Sequence, residues 1–244
     1  MERKKYIIII LLFFIITGET KGCYKMDIYR SFISGDMVLW KSVIDEMASV
    51  SKHIDMTAEL VNYQYGYIAW CIGNSRYDEA KRYLEKAEKN LRILEKEERN
   101  LSSVNSYRSA FYGYRIGMNH LLAPVIGIKS IDCAREAIRL DDKDPFAYVQ
   151  NGNIEFYRPS VFGGSKSEAI KYYLKALQLM EADSALIKEN WNYLSLLTVI
   201  AQAYSYMDDY DLSVLYLKKI LEIEPDFVWV RNELYPQIVK KMEK

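Results

Sequence analysis

Apolar residues recur along this chain every three or four positions, in paired segments separated by short polar or glycine-containing breaks. That period is the signature of amphipathic α-helices arranged as hairpins. A first pair is expected from Met26 to Val50, broken at Gly35-Asp36, with Phe32, Leu39, Trp40 and Ile44 as its stripe. A second runs through Tyr63, Gly66 and Trp70, turns at Gly73-Asn74, and continues with Tyr77, Ala80, Leu84 and Ala87. A third comprises a long helix from Ser102 to Leu122, capped by Asn100 or Ser102, then a helix from Ile126 to Leu140. A fourth opens at Pro145 after Asp144, with Tyr148 and Gly152 in its first helix and Ala169, Tyr173 and Ala176 in its second. The fifth carries Leu197, Ile200, Ala201 and Tyr204, then Ser213, Leu217 and Ile220, and closes at Pro225. A last helix with Val228, Trp229, Val230, Leu234, Ile238 and Val239 is expected to cap the open end.

Gly152, Ala169, Ala176 and Ala201 are expected where neighbouring helices approach, because a larger side chain would wedge them apart. Tyr148, Tyr173, Tyr204 and Leu217 fill the grooves beside them. From residue 24 onward no linker or composition break interrupts the pattern, so residues 23–244 read as one helical domain.

The first 22 residues read differently. A basic start, Glu2-Arg3-Lys4-Lys5, precedes the unbroken apolar run Tyr6–Ile16, which is too short to span a bilayer comfortably and fits a secretory signal. Three outcomes are open: cleavage after Gly22, lipidation of Cys23, or an uncleaved anchor. The first two, and the basic start itself, make the expected location periplasmic or otherwise extracytoplasmic. Membrane attachment is expected only through a lipid on Cys23 or an uncleaved signal.

Composition excludes several function classes. Formal net charge is zero, so no basic footprint for nucleic acid exists. Residues 1–22 hold four basic and two acidic groups, and their removal leaves 29 basic against 31 acidic. With half of its residues hydrophobic, the chain can bury a continuous core. Three cysteines are too few for an exported disulfide scaffold, so Cys71 and Cys133 read as small apolar residues.

Catalytic or metal chemistry finds little support. His53 and His120 lack ligand-spaced partners, so no metal site is expected. Gly163-Gly164-Ser165-Lys166-Ser167 lacks the earlier glycine and the Gly-Lys pair of a phosphate loop. Asp141-Asp142 and Asp208-Asp209 fall in connections, where turns and helix caps use them. No catalytic residue and no cofactor is expected.

The spacing from Leu197 to Pro225 resembles the 34-residue tetratricopeptide repeat (TPR). The resemblance extends over nearly the whole of residues 23–244, with two or three units well matched, and implies an all-α solenoid of about five TPR-like hairpins with a C-terminal capping helix. Polar Asn151 and Glu155 depart from the pattern. So do extra residues near Arg158–Phe162, and more after Glu181 that would lengthen the helix holding Trp191. The resemblance implies that first helices line a concave groove. That selects Tyr112, Arg115, Asn119, Phe146, Val149, Asn153, Phe156, Tyr157, Thr198, Gln202 and Tyr206, with Asn119, Asn153 and Gln202 as a ladder of amides for an extended peptide. The segment Pro159, Phe162, Gly163, Gly164 is similar to an insertion in TPR proteins associated with TRAP-type solute transporters. Val161 and Phe162 are expected to tuck against the stack. The leading expectation is an exported, non-enzymatic bacterial scaffold that binds a peptide or protein segment. The alternative is a solute-binding component associated with a TRAP-type transporter.

Overall fold

The structure, a computed structural model, describes residues 21–50 and 53–243, with side chains from Tyr24 onward. The expected signal segment lies outside the described residues, apart from the backbone of its last two. Eleven α-helices occupy the described residues: α1 (Lys21–Ser34), α2 (Met37–Ser49), α3 (Ile54–Gly73), α4 (Tyr77–Lys96), α5 (Leu101–Met118), α6 (Ala123–Leu140), α7 (Pro145–Tyr157), α8 (Lys166–Glu181), α9 (Trp191–Tyr206), α10 (Tyr210–Ile223) and α11 (Tyr235–Met242). The helices pack in sequential antiparallel pairs, from α1 with α2 to α9 with α10, as an all-α solenoid of hairpins.

Local chemistry sets where each helix starts. Asp36 accepts from the amides of Val38 and Leu39 at 3.1 and 3.0 Å, and Asn100 accepts from Ser103 at 3.2 Å. Asp144, Ser165, Asn190 and Asp209 cap α7, α8, α9 and α10 in the same way. Ser102, the other candidate cap for α5, is instead buried and donates to the Ala137 carbonyl at 3.0 Å. The small residues occupy the expected contacts: Ala169, Ala176 and Ala201 have no exposed surface. A Cβ on Gly152 would stand 2.5 Å from the Tyr173 ring. The polar departure at Asn151 is a tie between hairpins, since its buried amide donates to the carbonyls of Ala134 and Ala147 at 2.7 and 2.9 Å.

The stack does not stay open. It curves until the first hairpin meets the fifth. Trp191, at the start of α9, lies 5.1 Å from Trp40 and 5.7 Å from Phe32, between ring centroids. Phe32 also meets Phe227 at 5.0 Å, and Tyr29 donates to Glu224 at 2.8 Å. Buried residues from each of the five hairpins, with Phe227, Val230, Leu234 and Ile238, form one contiguous apolar cluster, from which the buried Ala134, Ala137 and Ala147 stand apart.

Several expectations are corrected. Leu39 and Tyr77 lie on exposed faces, 36% and 41% accessible. The extra residues after Glu181 do not lengthen the helix of Trp191; they form a connector with a 3-10 turn at Ser184–Leu186, and Trp191 is the first residue of α9. In the C-terminal cap, burial follows Phe227, Val230, Leu234 and Ile238 through a π-turn at Val230–Leu234, which leaves Val228 and Trp229 on the outer side. Cys71 is free and buried, and Cys133 is free and half-buried.

Tyrosine hydroxyls tie helices together. Tyr24 donates to Glu46, Tyr67 to Glu79, Tyr83 to Asp45 and Tyr193 to Glu181, at 2.8–3.0 Å. Burial first, then the neighbouring carboxylate, pushes the phenols of Tyr29, Tyr67, Tyr83 and Tyr193 far above the usual tyrosine range. A group whose folded pKa is raised contributes stability in full below its unfolded value, about 10 for tyrosine, and loses it as pH climbs toward the folded value. Stability should therefore fall steeply above about pH 10. Phenolate absorbance should rise together with loss of helical signal. Titration of nearly all 21 tyrosines while the helices stay intact would contradict these ties.

Candidate functional site

The concave side of α3, α5 and α7 is walled by aromatic rings. Tyr65 of α3 stacks on Tyr114 of α5 at 5.5 Å and 19°, and meets Phe146 of α7 edge-on at 5.3 Å. Tyr107 packs on Phe146 at 4.6 Å. Rings at these distances gain dispersion and quadrupole complementarity while their hydroxyls seek partners.

Those partners form a chain across the wall. Tyr173 donates to Asn153 Oδ1 at 2.9 Å, Asn153 donates to Gln150 Oε1 at 3.2 Å, and Gln150 donates to the Tyr65 hydroxyl at 3.3 Å. The Tyr114 hydroxyl donates to the Tyr65 carbonyl at 3.2 Å. Burial holds the phenols of Tyr107, Tyr114 and Tyr173 well above their ordinary pKa, so the wall is uncharged at physiological pH.

The rim of the wall is different. Tyr157 at the end of α7 is 73% exposed and Tyr206 at the end of α9 is 65% exposed. Phe156 joins them, 5.1 Å from the Tyr157 ring and 5.6 Å from that of Tyr206. Repulsion from an ionised Tyr157 adds to the burial that raises the phenols of Tyr114 and Tyr173. Lys166, at the start of α8, sits over Phe156 at 4.3 Å and over Tyr206 at 4.8 Å, and donates to the Phe156 carbonyl. Its desolvation pulls the ammonium pKa below the usual lysine value. The rim thus offers three ring faces and one cation, above a floor where Tyr65 reaches within 6.3 Å of Trp191.

The residues selected from the sequence divide among several places. Phe146, Asn153, Phe156, Tyr157 and Tyr206 come together on this wall and rim. Tyr112 and Arg115 do not. They line a separate cleft of about 310 Å³ between α4 and α5, with Glu88, Arg92, Arg108 and Phe111. There Arg115 forks onto Glu88, with Nε–Oε1 at 3.0 Å and Nη2–Oε2 at 2.8 Å. The groove side of α5 is instead its Tyr107–Tyr114 stripe, seven residues apart, and the projected register misses it by one residue, about 100° around the helix.

No ladder of amides is assembled. Asn119 ends α5 and accepts from the Leu121 amide at 3.1 Å, capping a 3-10 turn. Asn153 is engaged within the wall, and Gln202 is exposed on α9. Val149 is half-buried, packed against the core. Thr198 is buried and donates back to the Leu194 carbonyl at 2.7 Å. The sequence reading missed Tyr65, Tyr107, Tyr114 and Gln150, and treated Tyr173 and Lys166 as irrelevant to binding. The 107, 111, 114 aromatic spacing was the available signal.

The insertion turns at Pro159 through Gly164. Gly163 has φ +88°, a left-handed conformation that glycine adopts without strain, and a Cβ on Gly164 would stand 1.9 Å from the Arg158 carbonyl oxygen. Contrary to expectation, Val161 and Phe162 are not tucked in; they are 83% and 74% exposed.

The tetratricopeptide repeat family matches residues 194–227, which span α9 and α10. No curated protein matches the chain. Among solved structures the chain is similar to the HusA haemophore from Porphyromonas gingivalis, with a TM-score of 0.60 at 19% identity, over 77% of this chain and 94% of that one. At that identity the likeness speaks to fold. One tetratricopeptide repeat is thus matched at α9–α10, and the structural likeness extends the same paired-helix fold to the hairpins before it.

Proposed function

We propose that this chain is a non-catalytic holder, acting outside the bacterial cytoplasm, whose aromatic hollow takes an extended segment of a peptide or protein partner. The observation that carries this reading is the rim. Tyr157 and Tyr206 keep most of their surface in water although both belong to helices whose other faces are packed. Exposed rings backed by a fixed scaffold are the usual anchors of recognition surfaces, since they bury large area at small entropic cost. The wall beneath is uncharged, and because the Tyr114 and Tyr173 hydroxyls already donate within it, recognition would rest mainly on ring area. Export rests on the basic and apolar pattern of residues 2–16, and is tested by whether the mature protein begins at Cys23, with or without a lipid.

A second reading is a small solute, and one observation favours it. Lys166 lies over two ring faces, an arrangement suited to a flat ligand bearing carboxylates, and the similar structure is titled a haemophore. The insertion adds no enclosing wall to such a site, because Val161 and Phe162 point outward.

One experiment separates the readings. Partner capture from envelope extracts and haem titration, followed by the absorbance of the bound porphyrin, should be run on the parent protein, on Tyr157→Ala and on Tyr206→Ala. Loss of an anchoring ring should cost about 2 kcal/mol or more in binding, roughly thirtyfold in affinity, without loss of helical signal. Lys218→Ala, on exposed surface of α10, should change nothing. Capture that survives both ring changes in folded protein would reject the hollow. Tight, ring-dependent haem uptake without peptide capture would establish the second reading.

A further inference from the structure

Two neighbouring hairpin turns differ from the others in one shared way. Residues 116–128, from the last turn of α5 through the 119–122 connection into the first turns of α6, contain no Asp, Glu, Lys or Arg, hold one exposed histidine, His120, and are bracketed by Arg115 and Lys129. Residues 159–165, joining α7 to α8, are equally free of charge and bracketed by Arg158 and Lys166. The other three hairpin turns hold Asp36, Arg76 or Asp208-Asp209.

Both uncharged turns also present apolar side chains to water. Leu121, Val125 and Ile128 are 85%, 67% and 65% exposed, and their spacing places them on one stripe. Val161 and Phe162 are exposed by construction, because their turn is clamped. Gly163 N donates to Ser160 at 2.8 Å, Ser165 N donates to Glu155 at 3.0 Å, and Arg158 Nη2 donates to the Gly163 carbonyl at 2.8 Å. Because α5 and α7 pack together as first helices of successive hairpins, they run in the same direction. Their C-terminal turns therefore emerge at the same end of the stack.

We propose that these two turns, and not the charged turns that emerge beside them at the same end with Asp36, Arg76 and Asp208-Asp209, seat on a lipid bilayer. Leu121 and Val125 on one turn, and Val161 and Phe162 on the next, enter the boundary between headgroups and acyl chains. A groove in a protein partner would need matched concavities for two separate prongs, whereas a fluid, planar surface accepts both. Charge is expensive in the acyl layer, so tips without charge are what insertion requires; of the flanking cations, Arg115 and Arg158 are paired with Glu88 and Glu155 and Lys166 is held on Phe156, which leaves Lys129 to face the headgroups. Lys129 is solvent-exposed and can reach anionic headgroups, its stem lying along apolar surface. Binding would hold the protein to the membrane independently of its N-terminus.

The full chain carries the apolar run Tyr6–Ile16, which itself has affinity for lipid, so the readout must be local. Hydrogen–deuterium exchange of the full chain should be followed with and without vesicles of phosphatidylcholine, and of phosphatidylcholine with phosphatidylglycerol. Amides of residues 119–128 and 160–165 should gain protection on vesicles, more with the anionic lipid. Leu121→Asp with Phe162→Asp should abolish that protection, and each change alone should weaken it by about tenfold or more. Val125→Ser with Val161→Ser provides a second pair, should the first melt early. Exchange unaltered by vesicles at both turns overturns the proposal. Protection that grows with protein concentration in the absence of lipid assigns the face to a second copy and overturns it equally.

Discussion

Trp40→Ala should destabilise the protein by about 3–5 kcal/mol, the usual range for emptying a large aromatic site in a core. Trp40 is 1% exposed and sits where three hairpins converge, against Trp191 of α9 and Phe32 of α1. Its indole also donates to the Tyr63 carbonyl at 2.9 Å, and truncation leaves that acceptor in an apolar setting, which adds to the cost. Against a typical total stability of about 5–15 kcal/mol, this is a large fraction. Urea unfolding followed by circular dichroism measures it. Trp229→Ala, at a site 39% exposed, removes a similar volume and should cost far less. Equal losses at the two sites would mean that the first and fifth hairpins do not meet.

The second large effect is expected at Gly152. A methyl group there would stand 2.5 Å from Tyr173 Cε1 and 2.6 Å from its Cδ1, on a ring with no exposed surface. Gly152→Ala gains helix propensity, about 1 kcal/mol in an unconstrained helix, but the ring has nowhere to go. Overpacking of this kind costs about 1–3 kcal/mol, and the net change should be destabilising. Tyr173 is also the first donor of the hydrogen-bonded chain that ends on Tyr65, so a displaced ring should loosen the wall of the hollow. A double-mutant cycle with Tyr173→Leu tests the cause, because shrinking the ring should recover part of the loss. Strict additivity would show that the two residues are not in contact.

The hollow itself was only partly legible in advance. Tyr157, Phe156 and Tyr206 could be placed because they end first helices, where the repeat pattern is regular. Tyr112 and Arg115 were misplaced because α5 has no proline and carries so many small residues (Ser106, Ser109, Ala110, Gly113, Gly117) that none singles out its register, and a shift of one residue rotates a side chain by about 100°. Asn119 was misplaced for a different reason. It lies where α5 stops, and an amide at a helix end is drawn to the nearest unpaired backbone groups.

What the sequence determined alone was the series of helices and their pairing. Period, caps and turn residues are local, and each acts within a few positions: Asp36 on Val38, Asp144 on Phe146, Asp209 on Leu212. The small-residue contacts at Gly152, Ala169, Ala176 and Ala201 followed from the same local pattern. Only the tertiary structure decided how far the stack curves, that Trp191 meets Trp40 across it, and that Tyr65, Gln150 and Asn153 share one hydrogen-bonded wall. These are contacts between residues far apart in the chain. They depend on the sum of small angles between successive hairpins, and no single segment encodes that sum.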